Sequence, residues 1–143
     1  MLFDPSNNIV KLCTQGMIFE SKDDLEQAHN IFQQAWDLAA DDFERFTAAH
    51  YLARNQKDPL ERLKWNIDAL EYAKNIQQEE ILTVYPSLYL NVGKSYEEVS
   101  NLFEAKKYYH LASDNCKYLK DDPYGRMITS GIKNGLERIK SIQ

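Results

Sequence analysis

Two stretches of this chain carry the same internal spacing of small and aromatic residues. The first reads Leu12-x-x-x-Gly16-x-x-Phe19, then Ala28-x-x-x-Phe32-x-x-Ala35. The second reads Tyr89-x-x-Val92-Gly93-x-x-Tyr96, then Ala105-x-x-x-Tyr109-x-x-Ala112. In both, an aromatic follows the glycine by three residues, an alanine by twelve and a second aromatic by sixteen. Intervals of three and four keep side chains on one face of a helix, and each copy is interrupted by a polar turn, at Ser21-Lys22-Asp23-Asp24 and at Ser100-Asn101. Each copy therefore predicts a pair of short antiparallel helices. A small residue on the first helix lets the second approach, and a large residue on the second fills the space beside it.

The rest of the chain fits that plan. Asp4-Pro5-Ser6-Asn7 predicts a helix start, and helix one runs from about Asn8 to Glu20. Asp23 or Asp24 caps helix two, which runs to about Ala40. Asp41-Asp42 caps helix three, and Asp58-Pro59 starts helix four, which extends to about Gln77 with apolar stripes on two sides. Ile81, Leu82 and Tyr85 continue the stripe of Leu88 and Tyr89, which predicts one long fifth helix kinked at Pro86. Helix six covers about Leu102 to Leu119, and Asp122-Pro123 starts helix seven, with Met127, Ile128, Ile132, Leu136 and Ile139 in register. Between the two clear copies lies a blurred third. There Ala49 stands for the glycine, and Leu63, Ile67 and Leu70 stand for the alanine–aromatic–alanine row, with about two extra residues in the turn. No segment alternates with period two, so no sheet is expected. Trp36 and Trp65 lie on apolar stripes and read as packing residues.

Composition narrows the function classes. At 143 residues the chain is long enough to bury a core without a disulfide or metal. Cys13 and Cys116 lack C-x-x-C spacing, which predicts reduced thiols and a cytoplasmic protein. No basic leader is followed by an apolar run and no stretch approaches a membrane span, so no membrane partner is expected. Net charge is −5, without a global drive toward phosphate, although six Lys/Arg against three Asp/Glu from Lys117 onward leave that end positive. His29, His50 and His110 form no i, i+4 ligand pair, so no metal site is assigned.

The Gly-x-x-aromatic, Ala-x-x-x-aromatic spacing resembles the tetratricopeptide repeat, whose pattern runs W-x2-L-G-x2-Y…A-x3-F…P. The resemblance covers about residues 8–119, without the terminal prolines. It implies an all-α, right-handed α-α superhelix: one domain over 1–143, with hairpins at about 8–40, 42–77 and 79–119, and a capping helix at about 123–141. It also implies a non-catalytic interaction module in which the first helix of each hairpin lines a concave groove for a protein or peptide. That groove would hold Val10, Cys13, Met17, Phe43, Phe46, His50, Arg54, Leu90, Asn91, Lys94 and Glu97. Arg54 and Lys94 would be anchors for an acidic or carboxylate group; the residues read equally well with Phe43 and Phe46 as core and Arg54 and Lys94 as solvated charges. Self-association through an exposed repeat face is a further expectation. Members that clamp a C-terminal carboxylate use basic and asparagine residues where this chain has Cys13 and Met17, so that clamp is not matched.

The whole chain is also similar to short bacterial proteins often labelled ribosomal-RNA adenine methyltransferases, which implies RNA modification or RNA association as the alternative. Methyl transfer of the common type needs a glycine-rich turn on a Rossmann-like sheet. The chain has no G-x-G, and Asp121-Asp122-Pro123-Tyr124 only approaches an N/D-P-P-Y motif and reads better as a capped helix start. Arg126, Lys133, Arg138 and Lys140 could contact RNA, but four dispersed charges on one helix, with Glu137 among them, are more often a solvated face. Cys13 and His50 could approach as a thiol–imidazole pair if both line the groove. On balance no catalytic or cofactor-binding residue is assigned.

Overall fold

The computed structural model describes residues 1–141. Among them the fold is all-α, with no strand and seven α-helices that pack in adjacent pairs. The helices are α1 (Asn8–Ser21), α2 (Leu25–Leu38), α3 (Asp42–Arg54), α4 (Pro59–Ala73), α5 (Tyr85–Glu98), α6 (Leu102–Asp114) and α7 (Pro123–Lys140). The chain divides into two compact units, Met1–Gln78 and Glu79–Gln143.

In the first unit α1 pairs with α2 and α3 with α4, and α3 also packs on α1 and α2. The core gathers Ile9 and Cys13 of α1, Ala28, Phe32 and Ala35 of α2, and Ala48 and Leu52 of α3. Phe32 is fully buried, and a Cβ added at Gly16 would overlap its ring. Trp36 of α2 meets Trp65 of α4 edge-on at 4.9 Å and lies 5.9 Å from Tyr72. This accounts for the second apolar stripe of α4.

In the second unit α5 pairs with α6, and α7 packs on both. Tyr109 of α6 is fully buried. Added Cβ atoms at Gly93 of α5 and Gly135 of α7 would come within 3.0 and 2.6 Å of its ring. The same size complementarity thus builds both hairpins, and in the second it is used twice on one tyrosine. Gly135 and Gly131 let α7 lie close to the hairpin, since a Cβ at Gly131 would come within 3.1 Å of the Leu90 side chain. Ile128, Ile132 and Ile139 line its inner face, whereas Met127, expected in that row, is 61% exposed.

The turns repeat as faithfully as the helices. Asp23 and Ser100 both have left-handed backbones, φ 60° and 63°, and each lies seven residues after its glycine. The next residue, Asp24 or Asn101, donates its N–H to the carbonyl of Phe19 or Tyr96 at 2.9 Å. Its side chain then caps the following helix by accepting from the N–H of Gln27 or Glu104. Left-handed backbone is costly for a residue with a Cβ and least so for short polar side chains. Asp23→Gly and Ser100→Gly are each expected to raise stability by up to about 1 kcal/mol in thermal unfolding.

Five expectations are corrected. The fifth helix is not one kinked helix: Glu79–Thr83 is a separate 3-10 turn and α5 begins at Tyr85, with Pro86 in its first turn, where a missing N–H leaves no helical bond unmade. Helix six stops at Asp114, and Cys116–Tyr118 forms a second 3-10 turn. Helices two and four end at Leu38 and Ala73, short of Ala40 and Gln77. In the blurred hairpin the buried residues of α4 are Asn66, Ala69, Leu70 and Ala73, so of the expected row Leu63, Ile67 and Leu70 only the last is fully buried.

Candidate binding surface

Helices α1 and α3 lie side by side in the first unit, and their polar ends show how they are aligned. At one end Asn7 caps α1, its Oδ1 accepting from the N–H groups of Ile9 and Val10. Its Nδ2 donates to Glu44 Oε2 in the first turn of α3 at 2.9 Å. At the other end Glu20 of α1 meets the last residues of α3. Arg54 Nη2 approaches Glu20 Oε1 at 3.0 Å, and Asn55 Nδ2 donates to Oε2 at 3.4 Å. The Arg54 approach is an ion pair without hydrogen-bond alignment, since Glu20 Oε1 has no hydrogen-bond partner. Start meets start and end meets end, so α1 and α3 run parallel, with their two first turns and two last turns tied.

Between those ties lie Val10 and Met17 of α1 and Phe43 and His50 of α3, all half-buried. The imidazole of His50 stands edge-on to Tyr51 at 5.1 Å and lies 6.5 Å from Phe46. Its Nδ1 is buried without a hydrogen-bond partner. Burial foremost, and then the neighbouring Arg54 charge, lower its pKa from the ordinary 6.5 to about 4. A depressed imidazole pKa means that the unfolded chain takes up a proton before the folded one does. Stability is therefore full above pH 6.5 and falls as pH drops toward 4, by up to about 3 kcal/mol. Urea unfolding between pH 7 and 4.5 should show that loss, and His50→Phe should flatten it. Glu97 contributes in a separate, more acidic window. Its carboxylate is held below the usual value chiefly by the Arg138 hydrogen bonds, so its stabilisation is lost only as pH falls below 4.5.

The expected groove residues do not share one role. Cys13 and Phe46 are buried in the first unit and Leu90 in the second. The tetratricopeptide resemblance placed them along an open groove, whereas in the structure they pack inward. Arg54 is engaged by Glu20 and sits 5.4 Å over the Tyr51 ring, so it is no free anchor. Glu97 accepts from the Tyr109 hydroxyl at 2.6 Å and from Arg138 Nε and Nη2 at 2.9 and 3.0 Å. It closes the α5–α6–α7 packing. Asn91 is half-buried and Lys94 exposed; Lys94, Glu97, Glu98 and Arg138 line a shallow pocket of about 270 Å³.

The thiol–imidazole pair is not formed. Burial pushes the Cys13 thiol up to about 12, opposite to the depression that activates a cysteine nucleophile, and His50 Nδ1 has no partner. Asp122 Oδ1 accepts from the N–H of Gly125 at 2.7 Å with Pro123 in the first turn, so Asp122-Pro123 is a helix start. Of the four basic residues of α7, Arg126 pairs with Asp121 and Arg138 with Glu97.

Sequence reasoning missed a cleft of about 530 Å³ at the paired starts of α1 and α3. It is lined by Leu2, Asp4, Ser6 and Asn7 on one side and by Asp41, Phe43 and Ile76–Gln78 on the other. Its sequence signal is the apolar Leu2 ahead of the cap. No helix among the described residues is long and apolar enough to cross a membrane.

Fold and surface together define an all-α protein of paired helices with a half-open row along one parallel helix pair. No protein-family model, curated protein or solved structure matches the chain.

Proposed function

We propose that the protein is a non-catalytic interaction module of the tetratricopeptide-like class, and that the α1/α3 face of the first unit receives a peptide or an extended segment of a protein partner. The observation that carries this reading is the parallel α1/α3 pair, tied at both ends yet leaving Val10, Met17, Phe43 and His50 half-open between the ties. An apolar row with polar ends suits a segment that buries alternate side chains and satisfies its backbone at the rim. In this reading the finer fold is a right-handed superhelix and the protein works in the cytoplasm.

Peptides from a random displayed library, selected on the immobilised chain, test the proposal. Selected peptides should bind the wild-type protein and lose at least about tenfold in affinity, roughly 1.4 kcal/mol, on Met17→Gln. Peptides indifferent to Met17→Gln and to Val10→Gln would refute it.

A further inference from the structure

The two units hold the same carboxylate in different states of satisfaction. Glu20 and Glu97 each stand four residues after the glycine of their hairpin. Their side chains are covered to a similar degree, at 15% and 21% exposure. Glu97 Oε1 accepts from the Tyr109 hydroxyl at 2.6 Å and from Arg138 Nη2 at 3.0 Å, and its Oε2 accepts from Arg138 Nε at 2.9 Å. Glu20 has a single long bond, from Asn55 Nδ2 to Oε2 at 3.4 Å. Two local differences account for this. The residue sixteen after the glycine is Phe32 in the first unit and Tyr109 in the second, so the first lacks the hydroxyl that Glu97 receives. Arg54 is also held 5.4 Å over the Tyr51 ring, from where its Nη2 approaches Glu20 Oε1 without hydrogen-bond alignment.

A second acceptor lies one turn back from Arg54 on α3. His50 Nδ1, like Glu20 Oε1, is buried with no hydrogen-bond partner among the described residues. His50 stands edge-on to the same Tyr51 ring that Arg54 covers, so both acceptors belong to one neighbourhood. With its proton on Nε2, the neutral imidazole offers Nδ1 as an acceptor. Buried polar atoms are as a rule hydrogen-bonded, and two unmet acceptors beside a proposed binding face call for a donor. A cation suits the place poorly, because the Arg54 charge already opposes a proton on His50 and would oppose a Lys or Arg head in the same way. A primary carboxamide is uncharged, has two N–H donors for the two acceptors, and has a carbonyl that can accept from the half-exposed Arg54 guanidinium.

Building on the proposed peptide-binding face, we infer that Glu20, His50 and Arg54 form a carboxamide subsite at its Glu20 end, and that the incoming segment places an Asn or Gln side chain there. Arg54 moves from the Glu20 oxygen to the incoming carbonyl, which uncovers Glu20 Oε1 for the amide N–H.

The test uses the peptides selected on the full-length chain from a random displayed library. Those that depend on Met17 should share an Asn or Gln at one fixed position. A fluorescein-labelled synthetic copy of one such peptide, titrated by polarisation, should lose at least tenfold in affinity when that residue is changed to Glu, and at least fivefold when it is changed to Lys. The unchanged peptide should bind His50→Phe and Glu20→Met at least fivefold more weakly than wild type, with both variants shown to be folded by thermal unfolding. Imidazole nitrogen NMR of the wild-type protein should show the His50 Nδ1 signal move on saturation with the peptide. Met17-dependent peptides without a fixed Asn or Gln, tighter binding of the Lys form, affinity indifferent to both variants, or an unmoved His50 Nδ1 signal would each overturn the inference and leave the binding face standing. A selection that yields no Met17-dependent peptide would overturn both, so the two failures are distinguishable.

Discussion

Replacing Tyr109 with alanine is expected to destabilise the second unit by about 4 kcal/mol. The ring is fully buried between Gly93 and Gly135, so truncation opens a cavity bounded by three helices, and glycines have no side chains with which to fill it. The hydroxyl carries a separate share. It donates to Glu97 at 2.6 Å, and Arg138 Nη2 approaches it at 3.4 Å. Tyr109→Phe keeps the ring and leaves Glu97 with its two Arg138 bonds, so it should cost only about 1–2 kcal/mol. Urea unfolding followed by amide exchange in α5, α6 and α7 reads both values. A loss below about 1 kcal/mol for Tyr109→Ala would mean that the ring does not hold α7 to the hairpin.

Phe32→Ala should have a comparable effect on the first unit, about 3–5 kcal/mol, because Phe32 fills the matching position against Gly16. Gly16→Ala should cost about 1–3 kcal/mol by overpacking, since its Cβ would fall on the Phe32 ring. The two sites are in contact and should not be additive. Gly16→Ala combined with Phe32→Leu should lose less than the sum of the single changes, with a coupling of about 0.5–3 kcal/mol. Additive losses would show that the glycine and the aromatic do not pack as a pair.

The helical hairpins were legible because the residues that specify them are local. Gly16 with Phe32, and Gly93 with Tyr109, sit sixteen residues apart in both copies, and the structure packs each pair face to face. The turns were only half legible. Asp24 and Asn101 announce themselves as caps, but nothing in Asp23 or Ser100 advertises a left-handed backbone. The α3–α4 hairpin lacks a glycine–aromatic pair to set its register, so hydrophobicity alone pointed to Leu63 and Ile67 where Asn66 and Ala69 are buried.

The surface was least legible, because helical periodicity gives a face without saying what covers it. Cys13, Phe46 and Leu90 turned out to be covered. The partners of Arg54 and Glu97 lie 34 and 41 residues away in sequence, at Glu20 and Arg138, and no local pattern announces such pairings. The Phe3 contact with Phe43 joins an element that no repeat pattern covers to one that it does.

The division of labour that emerges is sharpest at two adjacent residues of α1. Gly16 is buried beneath Phe32, whereas Met17 is half-open on the α1/α3 face. The most direct test measures melting temperature and affinity for one library-selected peptide in Gly16→Ala and Met17→Gln side by side. Gly16→Ala should lower the melting temperature by several degrees and leave the affinity of the folded protein unchanged. Met17→Gln should weaken binding at least about tenfold with little change in melting temperature. The reverse pattern, with binding lost at Gly16 and stability lost at Met17, would contradict the account.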